Sequence, residues 1–182
     1  GYDCAFQCRL IRNRFGIDCE IVIFCAEFNS TRYPDLDIRP ESDFSSYRDQ
    51  HPDAIVVYHF CDGWDGVDDY LISNPSGVYV RWHNNTPPWF YALRWPDFAR
   101  GALRGFDVIA KMAKSDLNFL VNSDFTARQL TSIGGRSDRV FTVFPGCPFL
   151  VKPKVTSTEI SVESDLIRLL FASRVAPRSV GL

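Results

Sequence analysis

Short unbroken apolar runs, several of them rich in β-branched residues, alternate along the chain with longer stretches whose apolar positions recur at helical spacing. Phe6, Leu10, Ile11 and Phe15 form one such stripe, predicting a helix over Ala5–Phe15 with Asp3 as N-cap and Gly16 as C-cap. Cys19–Cys25 reads as a buried strand, and the polar stretch from Asn29 to Asp53 carries little periodicity beyond a short helix near Phe44–Asp49. Strands are then expected at Ala54–Tyr58, Gly77–Trp82, Leu117–Val121 and Val140–Phe144. The helices between them fall at Val67–Ser73, Phe98–Ala113 and Asp124–Ile133, the last capped by Ser123. Continuous apolar strands separated by helices indicate an α/β domain: a Rossmann-like, doubly wound parallel sheet with helices on both faces.

Such domains begin with a central strand whose following loop forms a ligand site, whereas this pattern begins with a helix. Gly1 is therefore expected in the loop after a first strand missing from this chain. From Pro148 to Ser164 the sequence turns polar and rich in Ser, Thr, Pro and Lys, and Leu166–Phe171 opens a new apolar run. The expected organisation is a domain over 1–147, a linker over 148–165 and the start of a second domain over 166–182.

Composition narrows the classes. Of 182 residues 46% are hydrophobic and 23% charged, with a formal net charge of -2, which excludes wholesale disorder and gives no basic excess for nucleic acid. No apolar run reaches the roughly 20 residues of a membrane span. The six cysteines are scattered, mostly within apolar patterns, so reduced thiols and a cytoplasmic location are expected.

In an open parallel sheet, ligands sit beyond the carboxyl ends of the strands. His59 stands at one predicted strand end with Cys61, Asp62 and Gly63 after it, and His83 and Asn84 stand at another. Gly1–Asp3 and Ser123–Asp124 open helices on the same edge, where backbone N–H groups can receive an anion. His51, beside Pro52, belongs to the opposite edge. A metal site from His59, Cys61 and His83 has weak spacing and no CxxC pair, so no metal is expected. No nucleophile elbow, P-loop or G-x-G-x-x-G is present. Pro87 and Pro88 stiffen the segment that leads to Trp89, Phe90 and Tyr91. Those aromatics suit either a wall for a sugar ring or a pin holding the loop to the next helix.

Arg81-Trp82-His83-Asn84-Asn85-Thr86-Pro87-Pro88 resembles the Y-H-N-x-T-P-P segment of a branch of bacterial family 4 glycosyltransferases. Tyr58-His59-Phe60 resembles their preceding Y-H-H strand end, and Gly1-Tyr2-Asp3 their first G-D loop. Asn122–Leu130 is similar to their S-x-F-x-x-x-x-L helix start, and Phe171–Pro177 to the L-F-V-G-R-x-x-P opening of their second domain. The resemblance implies the amino-terminal half of a GT-B fold and retaining transfer of a sugar from a nucleotide-diphosphate donor to a glycan or lipid-linked acceptor. No cofactor is implied beyond the donor substrate. Peripheral membrane association of a full-length protein is compatible with it.

By the same resemblance His83 is the catalytic-side residue facing the donor sugar. Gly1, Asp3, His59, Asn84, Thr86 and Ser123 would bind substrate, and Arg174 would meet the donor diphosphate. Ser179 departs from the pattern by standing where the family has a lysine. The E-x7-E motif that holds the donor would lie in a carboxyl-terminal domain missing from this chain, which alone would be inactive. The alternative is a non-catalytic sugar-binding or interaction module. A flavodoxin-like cofactor protein lacks its phosphate-cradling loop here.

Overall fold

A computed structural model describes residues 2–15, 20–25 and 33–145. The chain divides into two units, Gly1–Cys147 and Pro148–Leu182. The second unit, which holds the expected linker, the strand from Leu166 and Arg174, lies outside the described residues, as do Gly1, Gly16, Cys19 and Cys147.

Helix α1 spans Tyr2–Phe15. It starts ahead of the expected Ala5, so Asp3 lies inside the first turn rather than capping it. Strands β1 (Val22–Cys25) and β2 (Asp37–Pro40) pair in parallel, with Ile23 opposite Ile38. Ala5 and Cys8 of α1 are buried with Leu36 against Ile21, Ile23 and Ile38. Strand β2 corrects the featureless reading of this region: it is four residues long, half exposed, and closed by Pro40, so it offers no apolar run to detect.

Helix α2 (Phe44–Gln50) follows, then β3 (Val56–Phe60), α3 (Val67–Ser73), β4 (Val78–Trp82), α4 (Pro96–Ala113), β5 (Asn118–Val121), α5 (Asp124–Ser132) and β6 (Val140–Thr142). The last four strands form one parallel sheet in the order β3-β4-β5-β6. Strand β6 stops at Thr142 rather than Phe144, although the Val143 N–H still donates to the Val121 carbonyl at 2.7 Å.

Burial alternates along β3 and β5, whereas in β4 Arg81 is buried as completely as its apolar neighbours. Tyr58, Phe60, Val78, Val80, Trp82, Phe119 and Val121 are buried and pack with Leu71 of α3, Val108, Ile109 and Met112 of α4, and Leu130 of α5. Burying each large apolar side chain contributes roughly 1.5–3 kcal/mol. Residues of α3, α4 and α5 thus pack on this one face. On the other face His59, Arg81, Leu120 and Phe141 stand in register. The strand order of the four-stranded sheet is sequential, without a reversal. What the described residues give is a parallel α/β sheet flanked by helices, compatible with a Rossmann-like arrangement.

Helix α4 shows why its sequence folds as it does. Pro96 sits at its start, Asp97 in its first turn and Lys111 in its last, each matching the end it occupies. Its buried residues begin small, with Ala99, Ala102 and Gly105, before Val108, Ile109 and Met112 fill the core. The small residues let the helix approach the loops that follow β3 and β4. A Cβ on Gly105 would collide with Asn85 Nδ2 and lie 3.0 Å from Asp62 Cα.

Candidate functional site

The carboxyl ends of β3 and β4 bring two of the predicted site residues together. Phe60 pairs with Trp82, and the His83 N–H donates to the Phe60 carbonyl at 3.1 Å, carrying the ladder one residue past the strand. His59 and His83 therefore project on the same side of neighbouring strands. Their rings stack with centroids 5.1 Å apart, and His59 Nδ1 lies 2.9 Å from His83 Nε2. Both are half-buried.

A hollow of about 380 Å³ opens here, lined by Cys25, Tyr58, His59, Cys61, Asp62, Gly63 and Trp64. Partial burial first, then the Glu41 carboxylate, raises the Cys25 thiol above its ordinary range. Burial and then Asp62 do the same for Cys61. Both stay protonated near neutrality, so neither is an activated thiolate nucleophile. A larger hollow of about 480 Å³ lies between α3 and α4, away from the strand ends. Within it Arg104 pairs with Asp65 and lies 3.6 Å from Asp68. The smaller hollow is the better candidate because it takes in strand-end chemistry.

Asn84 and Ser123 form a second group, next along the sheet edge. The backbone of Asn84 turns through the left-handed region at φ 65°, a conformation that Asn tolerates better than most residues. Its side-chain oxygen and that of Asn122 meet the fully buried Thr126 hydroxyl at 3.0 and 2.7 Å. Ser123 Oγ accepts from the Thr126 N–H at 3.2 Å, the N-cap of α5. Thus Asn84, expected on substrate, ties the β4 loop to α5 through Thr126, and Ser123, also expected on substrate, caps that helix. Thr86 is exposed, and the side chain of Asp3 lies outside what is described.

Asn85 was not singled out from the sequence, yet it is the buried member of the His83–Pro88 run. It accepts from Trp82 Nε1 at 2.8 Å and donates to the Cys61 carbonyl, fastening the two strand-end loops together. The position inside an unusual polar-proline run was the available signal; burial was not legible there. The aromatics divide between the two readings left open above. Tyr91 packs on Phe98 at 5.9 Å and pins the loop to α4, whereas Trp89 and Phe90 stand 71% and 60% exposed.

Among the described residues, no group of three or more His, Cys, Asp and Glu is placed to hold a metal ion, and no helix is long and apolar enough to cross a membrane. Cys4, Cys8, Cys25 and Cys61 form no disulfide among those residues. Comparison with known protein families, with curated proteins and with solved structures finds no match to this chain.

Proposed function

We propose that this chain is the acceptor-side domain of a retaining, nucleotide-diphosphate-sugar-dependent glycosyltransferase with a GT-B fold, transferring a sugar to a glycan or lipid-linked acceptor. The observation that carries the reading is the direct contact of His59 and His83 at the ends of adjacent parallel strands, where an open α/β sheet receives ligands. Hydroxyl-rich ligands suit such an edge. Imidazole nitrogens exchange hydrogen bonds with hydroxyls, and the outward Trp89 and Phe90 offer flat faces for a sugar ring. The resemblance of His83–Pro88 to the family 4 segment supplies the reaction class. In that reading Arg174 faces the donor diphosphate, no cofactor or metal is used, and the reaction runs on the cytoplasmic side with the protein peripheral to the membrane.

The test is transfer by the longest protein that the gene encodes, assayed against a panel of nucleotide-diphosphate sugars with release of nucleotide diphosphate as readout. Release that depends on an added glycan or lipid-linked acceptor is expected. The 182-residue chain alone should bind these sugars only weakly in calorimetry. Tight, stoichiometric binding by it would overturn the assignment of the donor to another domain. The exposed Trp89 and Phe90 also fit a non-catalytic sugar-binding module. That reading predicts oligosaccharide binding that survives replacement of both histidines, with no nucleotide release by any form of the protein.

A further inference from the structure

The connection from β4 to α4 carries a group of apolar side chains left in water. Trp89, Phe90 and Leu93 fall within five residues and stand exposed, Leu93 to 98%. Single apolar residues on a surface are ordinary, but a contiguous group marks a docking surface. The segment is also rigid. Pro87 and Pro88 fix the backbone ahead of a 3-10 turn over Pro88–Phe90. The N–H groups of Phe90, Tyr91 and Arg94 donate to the carbonyls of Pro87, Pro88 and Tyr91 at 3.1, 3.0 and 3.1 Å, and that of Trp95 to Tyr91 at 2.8 Å. Tyr91 packs on Phe98 and holds the segment to α4.

We infer that this segment docks the protein on an anionic phospholipid bilayer, with Trp89, Phe90 and Leu93 entering the interface and Arg94 meeting headgroup phosphates. Neither of the two hollows is lined by any of these residues, and a leucine almost wholly exposed projects from the surface instead of walling a groove for a peptide. Projecting aromatic and aliphatic side chains suit the boundary between headgroups and acyl chains. The four N–H groups named above keep their bonds inside the segment, so entering the interface strands none of them. Charge agrees with this partner. Trp89–Arg100 holds two arginines and one aspartate, a net +1 in a chain of net -2, and that aspartate, Asp97, already pairs with Arg100. Because the segment follows β4, it lies at the sheet edge that bears His59 and His83, and docking brings that edge to the lipid surface. Only the consequence for the acceptor, that it is lipid-linked and not a soluble glycan, rests on the proposed function. Its sugar would meet the same ring faces at the level of the headgroups.

Co-sedimentation with vesicles tests the inference. The 182-residue chain should pellet with vesicles of phosphatidylcholine mixed with phosphatidylglycerol, far less with phosphatidylcholine alone, and salt should weaken the binding. Trp89→Ser, Phe90→Ser and Leu93→Ser made together should lower vesicle affinity at least about tenfold, and Arg94→Gln about fivefold on the mixed vesicles only. All four side chains are exposed, so these variants should keep the wild-type melting temperature. Lipids with brominated acyl chains should quench the wild-type tryptophan fluorescence, a reading that needs no variant to fold. Trp89→Phe should bind as before with most of that quenching gone. Absence of pelleting, pelleting that the triple change leaves alone, or no quenching of the wild type would each overturn the inference. So would self-association through this segment without lipid, read by analytical ultracentrifugation. Vesicle binding with no sugar transfer by the longer protein would remove the transferase reading alone, and transfer without vesicle binding would remove this inference alone.

Discussion

The Tyr58 hydroxyl donates to the Asp68 carboxylate across 2.7 Å inside the protein, tying β3 to the first turn of α3. The other carboxylate oxygen accepts from the Trp64 N–H at 2.6 Å, and Gly63 passes so close that a Cβ there would sit 2.9 Å from it. The floor of the histidine hollow is thus anchored on a single buried acid.

Burial raises the Asp68 pKa above its ordinary value, and the bonds from Tyr58 and Trp64 pull it part of the way back. A carboxyl whose folded pKa is raised binds its proton more tightly in the native state, so its contribution to stability falls as pH rises from the ordinary carboxylate range through the raised value. Tyr58→Phe removes one lowering bond. The variant should lose about 1–3 kcal/mol, and its decline with pH should extend further upward. Urea unfolding at a series of pH values checks both, and an unchanged profile would refute the anchoring role.

Gly105 and Gly101 provide a matched pair on α4. A methyl on Gly105 collides with Asn85 and the Asp62 backbone, while nothing lies within 4 Å of one on Gly101. Gly105→Ala should cost about 1–3 kcal/mol through overpacking, and Gly101→Ala should gain about 0.5–1 kcal/mol from helix propensity. Melting temperatures of both variants give the comparison.

Arg9 grips Asp35 with two bonds of 2.9 Å, joining α1 to the segment ahead of β2. The guanidinium lowers the Asp35 pKa from 3.8 to about 2. A depressed carboxyl stabilises the fold above the unfolded value and loses that contribution as pH falls from 3.8 toward about 2. Asp35→Asn should flatten that limb of an acid-unfolding curve. High salt should shrink the difference, since both groups are exposed to solvent.

Cys8 is the acidic thiol of the chain's described part. A hydrogen bond from Cys4 lowers its pKa most, against burial and with help from Arg12, bringing it from 9.0 to about 7. Its alkylation by iodoacetamide should therefore inflect near 7, whereas Cys25 and Cys61 should need more alkaline solution. Cys4→Ala should move the Cys8 inflection upward; peptide mapping at several pH values measures the shift, and an unmoved inflection would deny the Cys4 contact its role.

Much of the architecture was legible because β3, β4 and β5 are nearly continuous apolar runs and α4 carries a full stripe of core positions. Ser123 was placed correctly as the cap of α5, whereas His59, expected just beyond its strand, lies inside β3 because that strand runs on to Phe60. Strand β2 escaped because Asp37–Pro40 is short, polar at both ends and half exposed. Asp3 was misplaced because α1 begins at Tyr2, ahead of the first apolar position of its stripe. The engagement of Asn84 with Thr126 was not legible because it joins residues 42 apart, and no local pattern reports a contact of that span. The ring-to-ring contact of His59 and His83 is a geometric fact with no trace in residue spacing.

Strands that neighbour each other in space in the same order as along the chain also have a consequence for how the protein comes apart. From β3 to β6 each strand pairs with the next one along the chain, so no strand pairing there must await a distant strand, and the sheet can zip up stepwise. The parallel pair β1 and β2 belongs to a separate small cluster around α1. In native-state hydrogen exchange the amides of Ile23 and Ile38 should surrender their protons through local opening, while those of Val80 and Phe119 exchange only when the whole block melts.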